Sequence, residues 1–280
     1  KVTYGRVSRY GAIAYASSFD TVGPMARSAA EIAKLLSIIA GLDPYDGTSS
    51  PVKVDAYLGE LTKDRKGTKI GLPLEMFSDG LNPEIHQIIK DAAAKFSDLG
   101  FNVVDVSLPI AEIGLATYYL IAPSETSSNL ARYDGIRYGG KRDLFTQETM
   151  RRIMIGTFAL SAGYSDAYYK KAQKVRTILV EAYAKAYSRC DVLLMPISPT
   201  VATKIGDLLN DPLSNMLADL YTTTVNQVGV PALALPAGFS KEGLPIGMQL
   251  VGSKFSESLL LSLGHQYQLA TDWHTRSPKL

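Results

Sequence analysis

The sequence predicts an α/β fold, and three stretches carry that prediction. Lys69-Ile70-Gly71-Leu72 and Phe101 to Val106 are short apolar runs on either side of a helical pattern that opens at Asn82-Pro83 and closes at Gly100. That spacing is the signature of a βαβ unit with parallel strands. Asp191 to Pro196 is a continuous apolar run of strand length, as in a strand covered on both faces. Ala232 to Leu235 and Met248 to Val251, bounded by Pro and Gly, flank the polar stretch Phe239 to Leu244 and read as a hairpin in the middle of a sheet.

Taken in order, Lys1 to Ser18 mixes Gly, Ser and Tyr with short apolar pieces and reads as strand and loop. Ser28-Ala29-Ala30-Glu31 is a capping box, with Ile32, Leu35, Leu36 and Ile39 on one helical face and Gly41 as the stop. Asp43 to Pro51 is a loop. The helix after Asn82-Pro83 carries Ile85, Ile88, Ile89, Ala92, Phe96 and Leu99 as its apolar stripe. From Glu112 to about Arg132 the pattern is helical but broken at Pro123, which removes a backbone donor and predicts a bend near a site. The Ser and Thr residues around it (Ser124, Thr126, Ser127, Ser128) read as capping and packing groups.

Arg151-Arg152 precedes an apolar segment, Ile153 to Leu160, where a charge either reaches back to solvent or faces an anion. Ser165 to Arg189 predicts a long amphipathic helix with Tyr168, Ala172, Val175, Ile178, Leu179 and Ala182 inward. Lys170, Lys171, Lys174 and Arg176 then form a basic outer face, read as solvated, with an RNA or partner surface as the alternative. Asp211 to Tyr221 forms a helix or turn that presents Asp219 to the polar stretch Thr222 to Gln227, and Leu259 to Leu269 is a final helix. The polar stretch feeds the hairpin, so its groups either line a cavity or form a satisfied network, since an unpaired buried polar group costs about 1–3 kcal/mol.

Composition narrows the function. The chain has 280 residues, 46% of them hydrophobic and 20% charged, enough for a substantial core. Its 29 basic and 27 acidic residues are interspersed, so no general nucleic-acid or membrane surface is indicated. One cysteine, Cys190, excludes an internal disulfide framework and reads as an inert small hydrophobe beside a strand. No run approaches transmembrane length. The three histidines, His86, His265 and His274, have no metal-binding spacing, and neither a phosphate-binding Gly-rich loop nor a Gly-x-Ser-x-Gly elbow occurs. The residues therefore supply a scaffold and a possible pocket without an obvious nucleophile.

Several blocks resemble the amidase signature family: Tyr4 to Gly11, Ser17-Ser18-Phe19-Asp20-Thr21-Val22-Gly23-Pro24, Ser127 to Gly139, Arg151 to Arg176, and Pro245-Ile246-Gly247-Met248-Gln249. Arg-Tyr-Asp-Gly-Ile-Arg-Tyr-Gly and Arg-Arg-Ile-Met-Ile-Gly-Thr-Phe are most similar to the branch that supplies the glutaminase component of tRNA-dependent glutamine amidotransferases. With the βαβ unit and the hairpin, the resemblance implies an amidase-signature-like mixed β-sheet flanked by helices. Residues 1–280 are then the carboxy-terminal portion of a single such domain. The family's Ser, cis-Ser, Lys triad lies upstream of the Tyr-Gly-Arg block and is not in this sequence, so no catalytic residue is assigned and the chain alone is expected to be inactive. The stretch between Tyr138 and Arg151 is also shorter than in the family.

What the resemblance carries over is recognition of L-glutamine by Tyr118, Arg152 and Asp219. Glutamine presents an α-carboxylate and an α-ammonium, so its site needs a fixed cation and a fixed anion. A guanidinium can fork onto the carboxylate and an aspartate can accept from the ammonium. The implied partners are the B and C subunits of the amidotransferase, with tRNA reached through the B subunit, ATP and Mg expected in the partner, no metal or cofactor in this chain, and a cytoplasmic or organellar-matrix setting. The alternatives are an amidase for another small amide and a catalytically silent scaffold. A sheet lacking neighbouring strands would expose edges, so the chain expressed alone is expected to aggregate or to need its partner.

Overall fold

The computed structural model describes residues 1–77, 80–109, 111–207 and 211–277. Strands β1 (Lys69–Pro73), β2 (Asn102–Val106), β3 (Val192–Pro196), β4 (Ala232–Phe239) and β5 (Pro245–Gly252) form a sheet in the order β2-β1-β3-β5-β4. β1 pairs in parallel with β2 and β3, whereas β5 runs antiparallel to β3 and β4. The sheet is thus mixed. β3 is buried at every position, as its unbroken apolar run requires.

The hairpin is present, and its turn is closed by the Ser240 N–H donating to the Leu244 carbonyl at 2.8 Å. Its place differs from the expectation: β5 is interior, but β4 ends the strand order. β4 alternates in burial, with Ala234 exposed, and its register shifts between Pro236 and Gly238. An apolar run bounded by Pro and Gly does not distinguish a central strand from one that buries a single face.

Helices α1 (Ala29–Ile39), α2 (Tyr57–Glu60), α3 (Pro83–Asp98), α4 (Ala111–Asn129), α5 (Gln147–Leu160), α6 (Lys171–Tyr187), α7 (Pro212–Leu217), α8 (Thr223–Val228) and α9 (Glu257–Leu269) complete the order. The Ser28–Glu31 capping box forms as read. The buried stripe of α1 is Ala29, Ala33 and Leu36, however, while Leu35 and Ile39 are exposed. On α3, Ile85, Ile89, Ala92 and Phe96 enter the main core, which the sheet and α9 share.

Two helical readings are corrected. α4 runs through Pro123 without ending, and the Ser124 and Thr126 hydroxyls donate to carbonyls four residues back, at Leu120 and Ala122, both at 2.7 Å. Ahead of α6, residues Asp166–Lys170 form a π-helical turn. Tyr168, inside that turn, is exposed; on α6 itself Ala172 and Leu179 are buried as read, but Ile178 is exposed and Arg176 points inward.

Candidate functional site

α4 and α5 cross with their backbones almost in contact. A Cβ added at Gly156 would lie 1.9 Å from the Pro123 carbonyl oxygen and 2.8 Å from the Ser124 nitrogen, so only glycine fits. One turn before the crossing, α5 carries Arg152 and α4 carries Tyr118 and Tyr119. The crossing therefore places the guanidinium against the two phenols.

Arg152 is held on two sides. Its Nε donates to Glu148 Oε1 at 2.6 Å, while Nη1 donates to the Tyr15 hydroxyl at 2.7 Å and the Tyr118 hydroxyl at 3.3 Å. The guanidinium also lies 5.7 Å from the Tyr119 ring centre, within cation–π range. Tyr118 and Tyr119 meet edge to face at 5.0 Å, and Phe19 stacks on Tyr118 at 6.1 Å. The Tyr119 hydroxyl donates to Asp219 Oδ2 at 3.3 Å.

Asp219 sits in the turn between α7 and α8, and its carbonyl accepts from the Thr222 and Thr223 N–H groups, both at 3.1 Å. The structure thus brings Tyr118, Arg152 and Asp219 into one cluster, with Tyr119 linking the last to the others. Arg152 and Asp219 do not pair with each other; the ion pair of Arg152 is with Glu148.

Burial alone would weaken the proton affinity of Arg152, but the Glu148 carboxylate and the Tyr118 and Tyr15 hydroxyls outweigh it and hold the guanidinium above its ordinary value. Burial acts to raise the Glu148 carboxyl, yet the hydrogen bonds from Arg152 and Arg151 dominate and keep it below the usual range. Burial raises the Tyr118 phenol, and burial together with the Asp219 charge pushes Tyr119 up to about 12. Near neutral pH both phenols keep their protons. Each can accept from one group while donating to another.

Sequence reasoning missed Tyr15, Tyr119 and Glu148. Glu148 was legible as a carboxylate one turn before Arg152. Tyr15 reaches Arg152 across 137 residues, and nothing local announces that contact.

Two cavities approach the cluster. One of about 710 Å³ is lined by Leu217, Ala218, Leu220 and Tyr221, the residues around Asp219. The other, of about 460 Å³, is lined by Tyr4, Ser18, Glu125, Ser128 and Tyr169 among others. Neither is lined by Tyr118, Arg152 or Asp219.

The polar stretch feeding the hairpin lines neither cavity beyond Tyr221. It forms a buried network that is only partly satisfied: Thr224 shares a 2.8 Å hydrogen bond with Tyr183, Gln227 Nε2 donates to the Gly114 carbonyl at 2.7 Å, and Arg176 Nε donates to the Gln227 carbonyl at 2.6 Å, while Thr223 Oγ1 and Gln227 Oε1 are buried with no hydrogen-bond partner among the described residues. Among the described residues, no group of three or more His, Cys, Asp or Glu is placed to hold a metal ion. No helix among them is long and apolar enough to cross a membrane.

A family model described as Amidase matches residues 1–261. The chain belongs to the amidase family. It is 49% identical over 294 residues to a Chloroflexus aurantiacus protein named as the A subunit of glutamyl-tRNA(Gln) amidotransferase, with all of this chain and 60% of the relative covered. A Thermodesulfovibrio yellowstonii protein of the same name is 46% identical over all of this chain and 61% of its own length.

Among solved structures, the glutamyl-tRNA(Gln) amidotransferase A subunit of Thermotoga maritima superposes with a TM-score of 0.79 at 39% identity, covering 94% of this chain and 55% of that one. The fold is shared more widely: 6-aminohexanoate cyclic dimer hydrolase, 23% identical, reaches 0.84 over all of this chain and 61% of that one. This member of the family spans about 60% of the length of the curated relatives it matches. The alignments exceed its 280 residues, so those relatives carry residues that it lacks.

Proposed function

We propose that this chain is the substrate-recognising part of a glutaminase, the ammonia-supplying component of a tRNA-dependent amidotransferase. The observation that carries the reading is the cluster itself: a cation on α5 and an anion after α7, joined through adjacent tyrosines of α4. In this reading Arg152 forks onto the α-carboxylate of L-glutamine, Asp219 accepts from the α-ammonium, and Tyr118 closes the wall between them. Each charge-assisted contact contributes about 1.5–3 kcal/mol.

The nucleophile that attacks the side-chain amide and releases ammonia belongs, in this reading, to the part of the relatives' length that this chain does not span. Among the described residues no serine hydroxyl is hydrogen-bonded to a lysine side chain; the Ser188 hydroxyl donates to the Lys185 backbone carbonyl at 2.7 Å. We accordingly assign residues 1–280 to the carboxy-terminal part of the amidase domain and expect no hydrolysis by them alone. Released ammonia would pass to the B and C subunits, which use ATP and Mg to amidate glutamate or aspartate mischarged on tRNA, in the cytoplasm or an organellar matrix.

Isothermal titration of the intact, catalytically inactivated protein with L-glutamine tests the site. Asp219→Ala is expected to weaken binding at least about tenfold, equivalent to about 1.4 kcal/mol. A variant that binds as tightly as its parent would remove Asp219 from the site.

A further inference from the structure

We infer that Glu148 is a positioning residue for glutamine recognition: it fixes the guanidinium of Arg152 by the Nε edge so that the far end is presented to the ligand carboxylate. The inference rests on the glutamine reading above. Of the five guanidinium donors, Glu148 Oε1 takes Nε at 2.6 Å, and Nη1 is shared by Tyr15 and Tyr118. Among the described residues Nη2 makes no hydrogen bond. A carboxylate approaching the cluster therefore meets Nη2 free and Nη1 held only by neutral phenols, which it can displace. Nε is withheld from it by a charged partner.

An exposed carboxylate–arginine pair one turn apart on a helix contributes little and orients nothing. This pair differs because its two ends are unlike. The Arg152 side chain keeps 19% of its surface exposed, while Glu148 keeps 48%. The guanidinium is mostly enclosed by the aromatic side chains of α4 and Tyr15, and Glu148 approaches it from solvent. Glu148 also binds Arg151, with 2.7 Å from Nη2 and 2.8 Å from Nε to its Oε2. One carboxylate thus spans both arginines and offsets one of their two charges. With Asp219 the local charge is balanced, which suits a ligand carrying one charge of each sign and no net charge.

The test is steady-state glutamine hydrolysis by the intact enzyme, comparing Glu148→Ala and Glu148→Gln with the parent. Glu148→Ala is expected to raise KM for glutamine about tenfold with kcat within about twofold, because the lost orientation weakens ground-state and transition-state binding alike. Glu148→Gln keeps an oxygen acceptor for Nε and is expected to recover KM to within about threefold of the parent. An unchanged KM in Glu148→Ala overturns the inference and leaves the glutamine reading standing. So does a parallel loss of kcat and melting temperature that Glu148→Gln fails to rescue, since that marks a structural role. A parent enzyme that hydrolyses no glutamine overturns both.

Discussion

Gly156 and Pro123 touch backbone to backbone: an added Cβ at Gly156 would stand 1.9 Å from the proline carbonyl oxygen. That contact sets the distance between α4 and α5, and with it the reach of Arg152 to Tyr118 and Tyr119. On an open helix face Gly→Ala gains about 1 kcal/mol of helix propensity. Here the clash is with backbone, which no side-chain rotation relieves. Gly156→Ala is expected to cost a net 1–3 kcal/mol, roughly, read as a lower midpoint in chemical denaturation, and to weaken glutamine binding by displacing Arg152. An equal or higher midpoint would show that the helices part without cost.

Arg152→Lys keeps the charge but loses the fork. A lysine ammonium cannot hold Glu148 through one edge while offering two donors to a carboxylate. Glutamine affinity, measured by titration, is expected to fall at least about tenfold, or about 1.4 kcal/mol. Unchanged affinity would mean that charge alone is read at this position.

Cys190 is buried against Gly71, and burial, with a smaller contribution from the Asp191 charge, pushes its thiol up to about 11 from 9.0. As pH rises the unfolded chain releases this proton first. The thiol's contribution to stability is therefore complete below about pH 9 and is lost between there and about 11. A maleimide at pH 8 is expected to label Cys190 only after denaturant is added. Rapid labelling of the folded protein would contradict the burial.

Elements whose burial follows a single regular pattern were legible in the sequence. β3 reads as an unbroken apolar run because it is covered on both faces, and α3 reads through its Ile, Ala and Phe stripe. On α6, Ala172 and Leu179 are buried as the period requires, but Tyr168, within the π-helical turn at Asp166–Lys170, is exposed, because a constant period cannot represent that turn. Arg176 was read as part of a solvated basic face, yet it crosses inward to Ser18 and the Gln227 carbonyl. At the candidate site, Tyr118, Arg152 and Asp219 were named through family resemblance and the chemistry of a zwitterion, and the structure brings them into one cluster. Tyr15 and Tyr119 were not, because their roles arise only where the α4–α5 crossing brings distant segments together.

The most direct measurement is a crystal structure of the intact protein with L-glutamine bound. The α-carboxylate is expected within hydrogen-bonding distance of the Arg152 Nη atoms, with Glu148 still on Nε, and the α-ammonium on Asp219. Glutamine bound elsewhere, or bound here with its carboxylate turned away from Arg152, would contradict the assignment of this cluster as the recognition site.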